Sequence, residues 1–425
     1  MSNISFCINT SRNELNHIKL LFKSLKENLN SKNHEILVFI DSDNQGTFKW
    51  LLTQKSIFPQ LKILKNELSI CYGYARNINE MFEYASNDIV SYLQSDMVVC
   101  KNYDLEILKY LEPNMVLSST RIEPPLHGSS DITITHDFGL DPSKFNLKTF
   151  TEFAEIQKQD KVTEYFFAPF TLYKEVWNLI GGHDTIFRRS REDSDLLIRL
   201  VLNDIQIKQT WSAIVYHFTC TSSRGPNWFD KSNNQAQERN KLQSVADNIE
   251  LRKFIKKWGQ FTHSLNKIFY YPITAKILGN DLDLNKFLNF EIFFNKIYIE
   301  DINIINKLQS NFDEQHDIAN KLLNISSKDW EVYNYMYNKR NALSEVYPLI
   351  EISDNIVIEF NLNRVDFSFI DSFLIHLQTI INQTEEGDFE YGPFKIFINK
   401  KINQAPNKIV IHNPSIKKEH SYSVY

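Results

Sequence analysis

Short apolar runs alternate with amphipathic segments over the first hundred residues, and this alternation constrains the fold more than any other feature. Residues 4–8 and 36–40 are largely apolar runs, and between them apolar side chains recur at helical spacing, namely Leu15, Ile18, Phe22, Leu25 and Leu29. Strands of this kind separated by amphipathic helices are typical of a mostly parallel sheet covered on both faces. We therefore predict an α/β fold with ligands at the carboxyl ends of its strands.

The length of 425 residues exceeds what one hydrophobic core usually fills, so two domains are expected. The character of the chain changes near residue 260, which predicts domains at 1–260 and 261–425. The second part carries helical patterns at 302–323, 330–349 and 367–381 and strand-like runs at 356–362 and 394–398. These patterns predict a smaller α+β domain whose role the sequence does not reveal.

Composition restricts the partners and the cellular location. A net charge of -5, from 47 basic and 52 acidic residues, gives no bulk attraction to nucleic acid, so small or neutral partners are expected. No apolar run is long enough to cross a bilayer and no signal segment is recognisable, which predicts a cytoplasmic protein. The four cysteines, Cys7, Cys71, Cys100 and Cys220, lack C-x-x-C spacing and are expected to be buried thiols.

Polar residues follow three of the apolar strands. They occupy residues 9–13, 41–44 and 94–96, and parallel strands would bring them to one crevice. Neither G-x-G-x-x-G after the first strand nor G-x-x-x-x-G-K-[ST] occurs, which disfavours a classical dinucleotide fold or a P-loop.

The segment 181–199 joins a glycine pair to carboxylates at the head of a helix. Glu192 and Asp193 lie one turn before an apolar stripe, so we expect them to point inward, where burial can raise proton affinity. A general base and a simple complement to the positive helix end both fit this pattern. Asp195 and Arg199, four residues apart, are expected to form a surface pair.

Taken in order, these motifs resemble family 2 glycosyltransferases of the GT-A fold over residues 1–260. The resemblance implies that Asp41 recognises the nucleotide base and that Thr10 and Arg12 lie in the loop around the nucleoside. Residues 73–77 are similar to the family segment in which an arginine, here Arg76, approaches the nucleotide.

Residues 93–97 occupy the place of the family's D-x-D motif. The resemblance implies that Asp96 binds a divalent metal that offsets the charge of the departing diphosphate, with Gln94 and Ser95 beside the nucleotide. Gln94 replaces the first aspartate and supplies no charge, so weaker metal affinity and some metal independence are both compatible with the motif, and the sequence does not decide between these and ordinary metal dependence. His217 matches a histidine that completes the metal site in many relatives, and an imidazole ligand favours Mn²⁺ over Mg²⁺.

The resemblance extends to the segment 181–199, which is similar to the family's G-G-[FM]-D and E-D pair. It implies that Asp193 is the base that deprotonates the acceptor hydroxyl and that Glu192 orients the acceptor. Gly182 would let the backbone approach the donor sugar. His183 stands where relatives often carry an aromatic residue or methionine.

Three further features have competing interpretations. Trp177 and Trp211 are expected in the core, although a tryptophan can also stack on a sugar. Residues 222–226, with Arg224, are either a plain turn or a loop that closes over the diphosphate. Residues 251–259 are similar to a basic K-W-G ending, for which a solvated helix face is expected and contact with a membrane surface or an acidic glycan is the alternative.

These observations predict an inverting transferase that moves a sugar from a nucleotide diphosphate donor, expected to be UDP-linked, to a glycan or other hydroxyl acceptor with Mn²⁺ or Mg²⁺. A nucleotidyltransferase of related fold is the first alternative, but the loop at residues 9–13 lacks glycine. The second alternative is a catalytically degenerate module that binds a glycan or a nucleotide. The C-terminal domain is a candidate for acceptor selection, homo-oligomer formation or docking of another protein.

Overall fold

The computed structural model describes residues 2–67, 72–126, 130–187, 190–219, 250–261, 265–266, 268–307, 345–349, 352–408 and 422–425. These residues divide into two compact units. Unit 1 is formed by the described parts of 1–184, 203–241 and 415–425, and unit 2 by those of 185–202 and 242–414. The domain boundary that the sequence predicts near residue 260 remains a prediction.

Unit 1 is built on one mixed sheet of eleven strands among the described residues. The strands are β1 (Ile4–Thr10), β2 (Glu35–Ile40), β3 (Leu61–Asn66), β4 (Ile89–Gln94), β5 (Met97–Val99), β6 (Met115–Glu123), β7 (Ile134–Thr135), β8 (Val162–Thr163), β9 (Phe170–Tyr173), β10 (Gln206–His217) and β17 (Tyr422–Val424). Every residue of β1 and β2 is buried, in keeping with their largely apolar sequences.

The strand order places the polar strand ends together. Along the sheet the order is β17-β3-β2-β1-β4-β9-β6-β10-β5, with β3, β2, β1 and β4 parallel to one another. The chain passes from β1 outward to β3 and then returns to the other side of β1 at β4. Such a switch point opens a crevice at the carboxyl ends of the central strands, where ligands of α/β proteins bind.

Helices connect the strands of unit 1. They are α1 (Leu15–Asn28), α2 (Thr47–Gln54), α3 (Tyr74–Tyr84), α4 (Tyr103–Tyr110), α5 (Leu147–Gln157) and α6 (Lys174–Ile180). In α1 the predicted stripe faces the sheet, since Ile18, Phe22 and Leu25 are buried in the main core. Leu15 and Leu29, at the ends of the predicted stripe, are less buried.

Unit 2 carries a second sheet and its own core. It contains α7 (Glu192–Leu202), a helical segment at 250–258, α8 (Leu284–Glu291), α9 (Ser368–Ser372), α10 (Leu377–Gln383), β11 (Thr274–Leu278), β12 (Lys296–Ile299), β13 (Glu345–Pro348), β14 (Ile356–Asn361), β15 (Gly387–Tyr391) and β16 (Phe394–Ile398). The sheet order is β13-β12-β11-β14-β16-β15, and its first four strands are parallel. The core is rich in isoleucine and phenylalanine from both sheet and helices.

The predicted α/β class with a mostly parallel central sheet is confirmed, and a second sheet follows it. Cys7 and Cys100 are buried free thiols, as predicted, whereas Cys71 and Cys220 lie outside the described residues. The helical patterns predicted at 302–323 and 330–349 fall largely in 308–344, which is also outside them. Within the described ranges, no helix is long and apolar enough to cross a membrane.

Candidate functional site

Register brings three of the predicted site residues to one edge of the sheet in unit 1. Thr10, the last residue of β1, pairs with Ile40, so Asp41 follows directly beside it, and Asn9 pairs with Gln94 at the end of β4. The Asp41 N–H also donates to the Thr10 carbonyl at 2.9 Å. The sequence motifs around Thr10, Asp41 and Gln94 therefore meet at the switch point.

The Asp41 carboxylate organises the segment that leads into α3. It is 6% exposed, and its Oδ1 accepts hydrogen bonds from the Tyr72 N–H at 2.6 Å and the Asn66 amide at 3.2 Å, while Oδ2 accepts from the Gly73 N–H at 3.1 Å. Each carboxylate oxygen has two lone pairs, so these bonds leave capacity for a further donor. Recognition of a nucleotide base by Asp41 remains a prediction.

Arg76 brings a buried positive charge to the first turn of α3. Its side chain is 5% exposed, its guanidinium lies 4.1 Å from the centre of the Tyr72 ring, and its Nε is 3.6 Å from Glu80 Oε1. The Nη1 atom is buried and has no hydrogen-bond partner among the described residues. An unsatisfied buried donor costs about 1–3 kcal/mol, so an anionic oxygen bound there would remove that cost.

Arg12 has a different environment from Arg76. Its side chain is exposed, and its Nε donates to Ser42 Oγ at 2.8 Å, which ties the loop after β1 to the loop after β2. The next aspartate, Asp43, caps α2 by accepting N–H groups from Gln45 to Phe48. Although burial raises the pKa of Asp43, these hydrogen bonds outweigh it and hold the pKa below its usual value.

Asp96 and His217 approach each other because β5 pairs antiparallel with the end of β10. Met97 is opposite His217, and the Phe218 N–H donates to the Asp96 carbonyl at 3.0 Å. His217 Nε2 lies 3.8 Å from Asp96 Oδ1. Both side chains are at most about one-tenth exposed. The structure thus brings together the two residues predicted as metal ligands.

The other imidazole nitrogen, His217 Nδ1, has a separate partner. It lies 3.0 Å from Glu123 Oε1, and Arg121 Nη1 lies 3.3 Å from the same oxygen. Burial raises the pKa of Glu123, but the hydrogen bond with His217 and the nearby Arg121 guanidinium outweigh it and lower the pKa to about 2. Glu123 is therefore ionised at neutral pH. Sequence reasoning missed it because the contact depends on strand pairing.

Glu14 is a second residue that the sequence did not reveal. It is 4% exposed, and its Oε2 accepts from the Ser11 N–H and the Ser95 hydroxyl, both at 2.7 Å. Burial raises the pKa of Glu14 to about 7, and the charge of Asp96 adds to the increase, while the Ser95 and Ser11 hydrogen bonds oppose it. In the sequence, Glu14 looks like any acidic residue before a helix.

Ser95 and Gln94 line the turn between β4 and β5. Ser95 is 3% exposed, and its hydroxyl donates a hydrogen bond to Glu14. The Gln94 Oε1 atom is buried and accepts no hydrogen bond from the described part of the chain. The hydroxyl group of a bound ligand would satisfy this oxygen by donating a hydrogen bond to it. A metal-bound carboxylate in place of the Gln94 amide would instead carry a negative charge.

The donor set at Asp96 and His217 fits a divalent ion shared with a ligand. A carboxylate oxygen and an imidazole nitrogen are ligands that Mn²⁺ accepts, and two protein ligands leave coordination positions for oxygens of a diphosphate and for water. Among the described residues, no group of three or more histidine, cysteine, aspartate or glutamate side chains could hold a metal ion by itself.

Gly182 lies at the end of α6 in a conformation that favours glycine. Its φ is +74°, Gly181 has φ +75°, and the Gly182 N–H donates to the Trp177 carbonyl at 3.0 Å. A Cβ at Gly182 would lie 2.7 Å from Asn79 Oδ1. The Asn79 amide also binds both the N–H and the carbonyl of His183, each at 2.8 Å. These contacts account for the glycine, and its approach to a sugar remains a prediction.

The predicted catalytic pair begins α7, which belongs to unit 2. Asp193 is exposed and Glu192 is half-buried, so the expectation that both point inward is wrong for Asp193. Asp193 Oδ1 accepts from the Ser194 N–H at 2.6 Å. The apolar stripe did not predict which side chains point inward, because α7 is buried on nearly all sides from Ser194 to Leu200. A stripe therefore does not define a single inward face in this helix.

Asp195, rather than Asp193, is the buried carboxylate of α7. It and Arg199 are both 0% exposed, with Arg199 Nη2 at 2.8 Å and Nε at 2.9 Å from Asp195 Oδ2. Asp195 Oδ1 accepts from the Trp258 indole at 2.9 Å and lies 2.7 Å from Lys257 Nζ. The predicted surface pair is therefore wrong, because two further donors from the segment 250–258 share the aspartate.

The lysines of the K-W-G segment are also not a solvated face. Lys253 is 2% exposed and Lys257 is 8% exposed, and Trp258 is fully buried. Lys256 Nζ lies 3.1 Å from Oε1 of the buried Glu291. The expectation of a solvated helix face is wrong because Lys256 and Lys257 neutralise buried carboxylates of unit 2.

The remaining predictions divide between confirmed and untested ones. Trp177 and Trp211 are 5% and 7% exposed, which confirms that they belong to the core. The Trp211 indole donates to Thr163 Oγ1 at 2.9 Å. The loop at 222–226, including Arg224, lies outside the described residues.

One family model matches the first part of the chain. Residues 7–175 match the model of glycosyl transferase family 2, so the resemblance found in the motifs is confirmed there. No curated protein matches the sequence.

Solved structures similar to this chain have low identity. TarS of S. aureus is 14% identical over 61% of this chain and 44% of that chain, with a TM-score of 0.37. GalNAc-T7, solved with UDP, GalNAc and Mn²⁺, is 12% identical over 60% of this chain and 52% of that chain, with a TM-score of 0.41. The mannosyltransferase PcManGT of Pyrobaculum calidifontis, solved with GDP-Man and Mn²⁺, is 14% identical over 58% of this chain and 64% of that chain, with a TM-score of 0.37. The match thus spans less than half of TarS.

Proposed function

We propose, on the premise that residues 7–175 belong to glycosyl transferase family 2, that this protein is an inverting transferase that moves a sugar from a nucleotide diphosphate to a hydroxyl acceptor. The pairing of Asp96 with His217 at the switch-point edge is the observation that carries the proposal. UDP is the proposed nucleotide and Mn²⁺, or Mg²⁺, the proposed ion.

Unit 1 would bind the donor. Arg76 brings a buried, permanently charged donor that suits an anionic oxygen of the diphosphate, and Gln94 Oε1 suits a ribose hydroxyl. Thr10, Arg12, Asp41 and Ser95 would surround the nucleoside, and Gly182 would border the sugar. Asp96 and His217 would hold the divalent ion, which when bound would offset the negative charge of the leaving diphosphate.

Asp193 would act as the general base. Its exposure leaves it accessible to an acceptor, and within the described residues only its Oδ1 accepts a hydrogen bond. In this step, the Asp193 carboxylate takes the proton of the acceptor hydroxyl while the hydroxyl oxygen bonds to the anomeric carbon. The bond from that carbon to the diphosphate oxygen breaks on the opposite side, and the electron pair leaves with the diphosphate. Glu192 would orient the acceptor.

The experiment that tests this function is a donor panel with the full chain. Purified protein is incubated with Mn²⁺ and a series of UDP- and GDP-sugars, with and without simple glycan acceptors, and release of nucleoside diphosphate is measured by chromatography. We expect turnover of one donor. In Asp193→Asn the rate should fall by about 10²–10⁴-fold with donor binding retained, because a general base contributes on that order. Glu152→Gln, at a side chain 64% exposed in unit 1, is the control.

A second candidate function is a binding module without turnover, and the substitution at Gln94 is the observation that favours it. Such a module would bind a nucleotide sugar with the same side chains and release no diphosphate from any donor. Nucleotide-dependent binding without turnover under every condition would therefore contradict the transferase and support the module. Pyrophosphate release from a nucleoside triphosphate would instead indicate a nucleotidyltransferase.

A further inference from the structure

The two nitrogens of the His217 imidazole meet different oxygens. Nδ1 lies 3.0 Å from Glu123 Oε1, which is within hydrogen-bonding distance, whereas Nε2 lies 3.8 Å from Asp96 Oδ1, which is not. A carboxylate accepts but does not donate, so the proton in the first contact belongs to His217 Nδ1. A neutral imidazole with a proton on Nδ1 has a bare lone pair on Nε2.

Strand pairing fixes Glu123 beside His217. The two residues end β6 and β10, and these strands run parallel with Ile122 opposite Tyr216. Consequently, the order of the two strands, rather than a mobile loop, holds the carboxylate against Nδ1.

Arg121 immobilises the Glu123 carboxylate further. Arg121 and Glu123 are two residues apart on β6 and so share a face of the sheet, with Nη1 3.3 Å from Glu123 Oε1. The Arg121 guanidinium lies 4.4 Å from the centre of the Phe167 ring, and its Nε donates to the Ala168 carbonyl. With Arg121 held on three sides, Glu123 has a fixed orientation.

We propose that Glu123 is a positioning residue that holds His217 with its proton on Nδ1 and presents Nε2 to a divalent cation beside Asp96. This inference rests on the metal site of the proposed function. Carboxylates that hold the second nitrogen of a metal-binding histidine fix its tautomer and ring orientation, and their loss typically weakens metal binding by about 10–100-fold.

Nitrogen NMR of the metal-free protein tests the first half of this inference without any activity. In protein labelled with ¹⁵N-histidine, the His217 signals are those absent from His217→Gln. We expect a protonated Nδ1 and an unprotonated Nε2 in the wild type. A proton on Nε2 alone would overturn the inference, and this measurement requires no substitution at Glu123.

Mn²⁺ titration followed by electron paramagnetic resonance tests the second half. Glu123→Gln keeps an oxygen that accepts the Nδ1 proton, so its affinity for Mn²⁺ should stay within a few-fold of wild type. Glu123→Leu should lose the tautomer preference and bind Mn²⁺ about 10–100-fold more weakly. Glu112→Gln, an exposed glutamate before β6, is the matched control and should match wild type.

The outcomes separate this inference from the proposed function. If wild type binds Mn²⁺ through His217 and Glu123→Leu changes neither tautomer nor affinity, the positioning role is overturned while the metal site stands. If Glu123→Gln loses as much affinity as Glu123→Leu with the tautomer intact, Glu123 is a direct ligand and the positioning role is again overturned. If His217→Gln leaves Mn²⁺ binding unchanged, the metal site of the proposed function fails, and Glu123 loses its role with it.

Discussion

Replacement of Asp195 by asparagine should destabilise unit 2 strongly, whereas the same change at Asp193, two residues earlier, should not. Asp195 is fully buried, and one carboxylate serves Arg199 at 2.8 Å, Lys257 at 2.7 Å and the Trp258 indole at 2.9 Å. Asparagine keeps the size of the side chain and removes its charge. Two buried cations would then lose the carboxylate that they share.

The magnitude follows from the cost of breaking a buried ion pair. Removing one partner typically costs about 3–5 kcal/mol, because the other charge stays buried without compensation. With two cations affected, we expect about 4 kcal/mol or more for Asp195→Asn. Asp193 is exposed and interacts with the first turn of α7, so Asp193→Asn should cost less than about 1 kcal/mol.

Urea unfolding followed by tryptophan fluorescence and far-ultraviolet circular dichroism measures this difference. With an m-value of about 3 kcal/mol per M, a loss of about 4 kcal/mol lowers the midpoint of the unit 2 transition by about 1.3 M. The Asp193→Asn midpoint should stay close to wild type while its transferase rate falls. Equal midpoints for Asp195→Asn and wild type, or an equal drop in both variants, would refute the reasoning from burial.

Three further predictions concern unit 1. Asp96→Ala should abolish Mn²⁺-dependent UDP binding measured by calorimetry, with Glu152→Gln unchanged, and retained Mn²⁺-dependent affinity would reject Asp96 as a ligand. Gly182→Ala should cost about 1–2 kcal/mol or more in unfolding free energy, because its φ is +74° and its Cβ would meet an amide oxygen at 2.7 Å. Gly139→Ala, with φ +87° and nothing within 4 Å, should cost less, and equal losses would show that the contact is harmless. Since burial raises the pKa of Glu14 from 4.5 to about 7, the folded state holds its proton in this window. The contribution of Glu14 to the free energy of unfolding, up to about 3 kcal/mol, should therefore be present below about pH 4.5 and be lost as the pH rises through 7. In denaturation curves recorded at several pH values, Glu14→Gln should show a smaller change of unfolding free energy with pH. An unchanged pH dependence would contradict the assignment.

The sheet of unit 1 and the edge that carries its candidate site could be predicted from local pattern. β1 and β2 are buried along their whole length, so their sequences are largely apolar, and polar residues at and after their carboxyl ends mark the strand ends. Thr10, Asp41 and Gln94 meet because parallel strands end at the same edge of a sheet. This argument needs only the order of strands and helices.

The environment of α7 could not be predicted in the same way. A periodic stripe identifies one buried face, but α7 is buried on almost every side from Ser194 onward. The Asp195 carboxylate pairs with Lys257 and accepts a hydrogen bond from Trp258, both about 60 residues later in the chain. No local sequence pattern predicts such a distant partner. The sequence therefore predicts a surface pair of Asp195 and Arg199 where the structure has a buried network.

Glu14 and Glu123 show the same limit for the candidate site. Glu14, which follows β1, reaches Ser95, which follows the neighbouring strand β4, and Glu123 reaches His217 through the pairing of β6 with β10. Each contact joins residues more than 80 positions apart. Side chains that contact the residues of a motif can therefore be identified only once strand order and register are known.

Diffraction from crystals soaked with UDP and Mn²⁺, with anomalous data collected at the manganese edge, tests the central claim most directly. A single anomalous peak within about 2.0–2.3 Å of an Asp96 carboxylate oxygen and His217 Nε2, with the diphosphate on the ion and within reach of Arg76, is the predicted result. An ion bound elsewhere, or a diphosphate bound away from the Asp96–His217 pair, would contradict the account.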